Sequence, residues 1–143
     1  MKLITLFFAV LFMQQPVTEF EAIKANAKSQ HKLILLNFSG SDWCAPCILF
    51  KRDYLNSPEF AQLASKELIF VNADFPRKKK NQLSDALVKR NESLAERYNP
   101  QGHFPLTLLL DADGKILRKW DGMPEAPVAQ WASEVSLATR RVH

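Results

Sequence analysis

The chain has 143 residues, 47% of them hydrophobic and ten of them Phe, and a formal net charge of +4. That length fits one domain with a sizeable core, and no low-complexity tract or internal repeat interrupts it. The modest charge does not demand a nucleic-acid partner and fits acidic protein surfaces only weakly; two cysteines are too few for a scaffold stapled by several disulfides.

Lys2 is followed by an apolar run, Leu3 to Met13, and then by Gln14, Gln15 and Pro16. A short basic start with such a run reads as a secretory signal over residues 1–15. The run is shorter than the about 20 residues that a membrane span needs. No small-x-small pattern follows Val10, so the cleavage point stays open, and an uncleaved segment that tethers the protein to a membrane is the alternative. No cysteine stands close behind the run, which argues against lipid attachment. Residues 17–141 form the domain expected after it. Export and one close cysteine pair together suit a protein that handles the disulfides of others.

Thr18 to Glu21 has the form of a capping box, with Thr18 accepting from the Glu21 N–H and Glu21 reaching back. A helix follows to about Gln30, with Phe20, Ile23 and Ala27 on one face. Leu33 to Phe38 is apolar apart from Asn37, as a central strand covered on both faces would be. Ser39 to Trp43 is an approach loop in which Ser41 or Asp42 could cap the next helix. That helix begins around Cys44-Ala45-Pro46-Cys47 and runs to Leu55, with Pro46 in the first turn, where a missing N–H costs nothing. It breaks at Asn56-Ser57-Pro58, where Ser57 caps a continuing helix to about Lys66. Leu68 to Val71 is a second strand that ends at Asn72 to Asp74, and Phe75-Pro76 breaks it.

Arg77 to Lys80 is the one run of charge, either a patch that steers acidic partners or, more simply, a solvated loop. Helical segments from about Asn81 to Tyr98, with a split near Asn91 left open, read as an insertion. Asn99 to His103 is a loop, and Phe104-Pro105 leads into an apolar strand, Leu106 to Leu110. The turn Asp111 to Gly114 joins it to an antiparallel strand, Lys115 to Trp120. A last helix, from about Pro127 to Arg140, turns Val128, Trp131, Val135 and Leu137 or Ala138 inward. After the first helix the order is strand, helix, strand, helix, strand, strand, helix. That order requires an α/β fold, a mixed four-stranded sheet with helices on both faces.

Cys44 and Cys47 are the chain's two cysteines, two residues apart, where a strand ends and a helix begins. The first N–H groups of a helix lack partners, and its aligned dipoles act as roughly +0.5 charge there. A thiolate at Cys44 would be stabilised, with a pKa below the free value of ~8.5. Cys47, one turn on and more enclosed, is within reach of a disulfide. Such a pair exchanges electrons with other disulfides: Cys44 attacks, a mixed disulfide forms, and Cys47 resolves it. The electrons rest on two sulfurs, so no cofactor is required. Zinc usually takes four ligands, and His31, His103 and His143 are scattered without ligand spacing, so no metal is expected. A bridge that encloses two residues constrains little of the unfolded chain and would be a poor staple. Trp43 is a contact surface beside the reactive sulfur, a half-buried hydrophobe, or both. His103 is a proton carrier or an exposed loop residue.

Trp43-Cys44-Ala45-Pro46-Cys47 resembles the active-site motif of the thioredoxin superfamily, with Ala where Gly is usual. Phe38 to Cys44, with Asp74 to Lys80, resembles an exported bacterial thioredoxin-like branch and the reducing thioredoxin-like domain of transmembrane electron-transfer proteins. The likeness covers roughly residues 17–141. It implies a thioredoxin fold with an added N-terminal helix and a helical insertion. It implies a periplasmic thiol–disulfide oxidoreductase, expected as a monomer, acting on protein disulfides or dithiols. Such a protein would be a reductase supplied by a membrane electron donor, or an isomerase, with an oxidant left open. The family places a cis proline opposite the cysteine pair, and Pro105 is the matching position. A cis bond there would turn the backbone of Phe104 outward to pair with an extended substrate, whereas the residues alone also allow Pro105 to start a strand in trans. The likeness fails at Asn37, where the family buries an acid below the second cysteine. Asn accepts no proton at neutral pH, so the Cys47 proton must pass through water or another group, with Asp42 and Glu96 as candidates. The rival reading is a thioredoxin-fold binding module whose cysteine pair is incidental or a slow sensor.

Overall fold

The structure, a computed structural model, describes residues 18–141; the leader expected at residues 1–15 lies outside them. Its central strand, β1 (Leu33–Ser39), is buried along its whole length. β1 pairs in parallel with β2 (Leu68–Asp74) and antiparallel with β3 (Leu106–Leu110), and β4 (Ile116–Asp121) closes the order β2-β1-β3-β4. Alternate residues of a strand point to opposite faces, so β1 feeds two cores. Ile34, Leu36 and Phe38 pack with Phe20 and Ala27 of α1 (Glu19–Ser29) and with Leu94 and Tyr98 of α4 (Asp85–Tyr98). Leu33 and Leu35 pack on the other face against α2 (Ala45–Phe50), α3 (Pro58–Glu67) and α5 (Val128–Arg140). Trp131 of α5 is the centre of that second core, with the rings of Phe50, Phe60, Tyr54 and Trp120 within 6.0 Å between centroids.

Local chemistry sets the element ends. Thr18 accepts from the Glu21 N–H at 3.3 Å, but Glu21 pairs with Lys24 at 2.7 Å instead of reaching back, so half of the expected capping box forms. One π-helical turn, Lys51–Leu55, extends α2, and Ser57 then caps α3 by accepting from the Phe60 N–H at 3.1 Å. α4 is continuous through Asn91, whose buried amide donates to the Asp74 carbonyl at 2.8 Å. α4, in the segment expected as an insertion, covers the first core and links β2 to β3; residues 75–84, with a 3-10 turn at Lys79–Asn81, precede it. In α5, Trp131 and Val135 are buried, Leu137 is exposed, and Thr139 turns inward to donate to Glu67 of α3.

Candidate active site

Cys44 and Cys47 form a disulfide with Cα atoms 5.2 Å apart at the carboxyl end of β1. Cys44 itself is the N-cap of α2: its sulfur accepts from the Cys47 N–H at 3.3 Å. A donor aimed at that sulfur favours a thiolate there once the bond is reduced. Pro46 sits in the first turn, as expected. The two cysteines are covered almost equally, 5% and 4% exposed, so the expected contrast between an open and an enclosed sulfur is not seen in the oxidised form. Directly after them, Ile48 and Leu49 remain exposed apolar surface.

Trp43 and Phe104 meet edge to face at 5.4 Å, which brings the Phe104-Pro105 turn beside the residue preceding Cys44. The Phe104–Pro105 bond is cis. The Pro105 carbonyl accepts from the Gly122 N–H at 2.8 Å, while the Phe104 backbone makes no hydrogen bond among the described residues. Trp43 is half-buried: its indole N–H donates to the Phe75 carbonyl at 2.7 Å and Arg77 lies 3.8 Å over its ring. Gly40 makes this placement possible, because a Cβ there would lie 2.3 Å from the indole.

Two carboxylates hold the approach loop, and neither does what the sequence suggested. Ser41 does not cap α2; its N–H (2.9 Å) and hydroxyl (2.6 Å) donate to Asp74, as does the Ser39 hydroxyl at 3.2 Å. Asp42 does not cap it either. Its oxygens accept from the N–H groups of Arg77 and Lys78 and from the Asn81 amide, each at 2.9 Å. Those donors, the Arg77 N–H foremost, hold the Asp42 carboxyl at about 2 instead of 3.8. A group so acidic is a poor acceptor for the Cys47 proton. Glu96, the other candidate, is exposed on α4, across the sheet from α2.

By alternation Asn37 shares the face of Leu33 and Leu35, on the α2 side. It is 2% exposed and both its polar atoms are bonded: its amide donates to Asn72 at 2.9 Å, and its oxygen accepts from the Thr107 hydroxyl at 3.0 Å. Register puts the three residues opposite one another on β2, β1 and β3. The result is a neutral polar ladder where the family resemblance implies a buried acid. Asn72, Thr107, Asp74 and Phe75 were missed in the sequence; a polar residue interrupting each of three apolar strands was the available signal for the ladder. His103 lies next to Phe104, with its Nδ1 2.6 Å from Asp121 at the end of β4.

Two sulfurs that open and close one bond, held at the end of the central strand of this sheet, make the protein a thiol–disulfide oxidoreductase of thioredoxin fold. Sequence comparison takes this further. Residues 14–112 match the Thioredoxin-like family model, and the chain belongs to that family. The disulfide bond reductase DsbH of Chlamydia pneumoniae is 36% identical over 115 residues, covering 80% of this chain and 67% of its own length. A solved DsbH oxidoreductase superposes with a TM-score of 0.73 at 34% identity, covering 82% of this chain and 78% of that one. A disulphide isomerase from Xylella fastidiosa Temecula1, 19% identical with a TM-score of 0.59 over 87% of this chain and 94% of its own, shares the fold.

Proposed function

We propose that this protein is an exported, monomeric reductase of protein disulfides, recharged by a membrane dithiol donor. The observation that carries the reading is the Cys44–Cys47 disulfide at the mouth of α2, beside the Trp43–Phe104 contact. In the reduced protein the Cys44 thiolate attacks one sulfur of a substrate disulfide, and the other sulfur leaves as a thiolate that takes up a proton. Cys47 then loses its proton and attacks Cys44, releasing the second substrate thiol. Two electrons and two protons pass to the substrate, the two sulfurs are the whole redox group, and no cofactor takes part. The free backbone of Phe104 pairs with an extended substrate segment across from the cysteines, and Trp43 supplies the apolar contact. With Asn37 neutral, water carries the Cys47 proton. The direction is supported by the likeness to a disulfide bond reductase, and export by Lys2 and the apolar run Leu3 to Met13.

Insulin reduction with thiol recharging tests the reading. Cys44→Ser abolishes turnover, and Cys47→Ser accumulates a mixed disulfide on Cys44. The potential against glutathione falls near ~−270 mV; a value near ~−120 mV would make the protein an oxidant. Turnover that survives Cys44→Ser removes Cys44 from the mechanism, and no turnover in wild type favours a binding module.

A further inference from the structure

Resting on the reductase reading, we propose that the loop Arg77–Lys80 is a docking arm that selects protein substrates with acidic residues flanking the target disulfide. The loop is built onto the active site. The Phe75 carbonyl holds the Trp43 indole at 2.7 Å, and the Phe75 ring meets Phe104, which in turn meets Trp43. These three rings form an apolar floor next to the disulfide, and the basic run is its rim.

The loop is also pre-ordered. One carboxylate, Asp42, accepts two backbone N–H groups and the Asn81 amide, all at 2.9 Å, and so fixes the residue pair before Cys44 to the loop that carries the cations. A loop fixed in advance loses less entropy when it binds. The Arg77 guanidinium sits over the Trp43 ring, its Cζ 3.8 Å from the centroid, and an exposed guanidinium offers a fork of N–H donors to a carboxylate.

Its charge is unspent. Arg77, Lys78, Lys79 and Lys80 are all exposed, and among the described residues none of their side chains forms an ion pair. Elsewhere Lys24, Arg52, Arg90 and Arg118 each meet a carboxylate. Against these four cations the approach loop sets two carboxylates, Asp42 and Asp74, and both are taken up by hydrogen bonds within the loops. Such a field at the mouth of a site raises encounter rates with anions. A solvated loop with no role would need neither the Asp42 anchor nor contact with the tryptophan beside the reactive sulfur.

The test uses the reduced full-length protein and three peptide disulfides that differ only in their flanks, which carry Glu, Ser or Lys. The second-order rate of reduction is read at low and high salt. The Glu peptide reacts about tenfold faster than the Lys peptide at about 20 mM salt, and the gap closes near about 0.5 M as screening shortens the field. The combined variant Lys78→Glu, Lys79→Glu, Lys80→Glu loses or inverts the preference. A charge-matched variant at the opposite end of the sheet, Lys28→Glu, Lys66→Glu, Lys115→Glu, keeps it. Equal rates for the three peptides in wild type overturn the docking arm while leaving the reductase intact. Equal shifts in the two triple variants overturn it in favour of overall charge. Loop-dependent sedimentation with anionic vesicles, with no peptide preference, overturns it in favour of a membrane surface. Failure to reduce even the Ser peptide overturns the reductase reading and the arm with it.

Discussion

Along β1, Leu33, Ile34, Leu35 and Leu36 bury their side chains in apolar surroundings on both faces, whereas Asn37 and Ser39 are tied to polar partners on neighbouring strands. The first half stabilises by area removed from water, which is non-directional and tolerates exchange of one hydrophobe for another. The second half keeps one core hydrophobe, Phe38, and adds hydrogen bonds whose partners and angles are specific. Its bonds run from Asn37 to Asn72 and Thr107, and from Ser39 and Ser41 to Asp74, and they end at the loop that delivers Cys44. Both ends of the strand therefore feed the core, and the polar bonds of the second also aim the reactive sulfurs.

Breaking the apolar half has the largest expected effect on stability. Trp131→Ala empties the centre of the second core and lowers the unfolding free energy by about 3–5 kcal/mol, read from urea titration. Below its shifted midpoint, the variant's reaction with a small disulfide stays at the wild-type rate. A fall in that rate equal to the polar-site variants would erase the distinction between the two halves. Asn37→Asp puts a carboxyl into the ladder, where burial pushes its pKa up. The folded pKa then exceeds the unfolded value of about 3.9, so stability is retained near pH 4 and lost as pH rises through the interval between the two. At about pH 8 the loss relative to wild type is about 3 kcal/mol, and near about pH 4 it is small. Equal losses at both pH values would show that shape, not charge, is what the site rejects. Asp74→Ala strips Ser39 and Ser41 of their acceptor and costs about 2 kcal/mol. Unlike Trp131→Ala, it also slows the reaction of the folded protein, which stopped-flow reduction of a small disulfide would detect.

The same contrast governs how much could be read in advance. Apolar periodicity and turn residues gave the strands, the helix order and both covered faces, because burial leaves a regular trace in sequence. Cys44, Cys47 and Pro46 were legible because their chemistry is local to one turn. The anchors were not: Asp42 reaches Arg77 and Asn81 across 35 to 39 positions, and Asp74 reaches Ser41 across 33. Ser41 and Asp42 looked like helix caps because Ser and Asp favour that position. The Cys44 sulfur took the position instead, once the loop had folded back onto the end of β2. Glu21 was similarly diverted, by a lysine one turn away. The segment that holds α4 read as an insertion because of its length; Asn91 is buried in α4 and satisfied by a strand carbonyl, which no period reveals.

The smallest stability effect belongs to Asp42, and it separates anchoring from packing most cleanly. Asp42 is half-buried, and its carboxyl is held at about 2, chiefly by the Arg77 N–H and the Asn81 amide. A group with a folded pKa below its unfolded value contributes stability that is fully present above about pH 4 and is lost as pH falls toward 2. Asp42→Asn removes that contribution, so its thermal midpoint falls less steeply than that of wild type between about pH 4 and pH 2, and the two proteins differ least at the acid end. Because solvent screens the site, the change in midpoint at neutral pH is slight. The change in reactivity is not slight: the loop is freed from the residue pair before Cys44, and the rate advantage of a Glu-flanked peptide shrinks although all four cations remain. Matching acid slopes in the two proteins would mean that Asp42 is a bystander, and the loop would then have to be held by the Trp43 contacts alone.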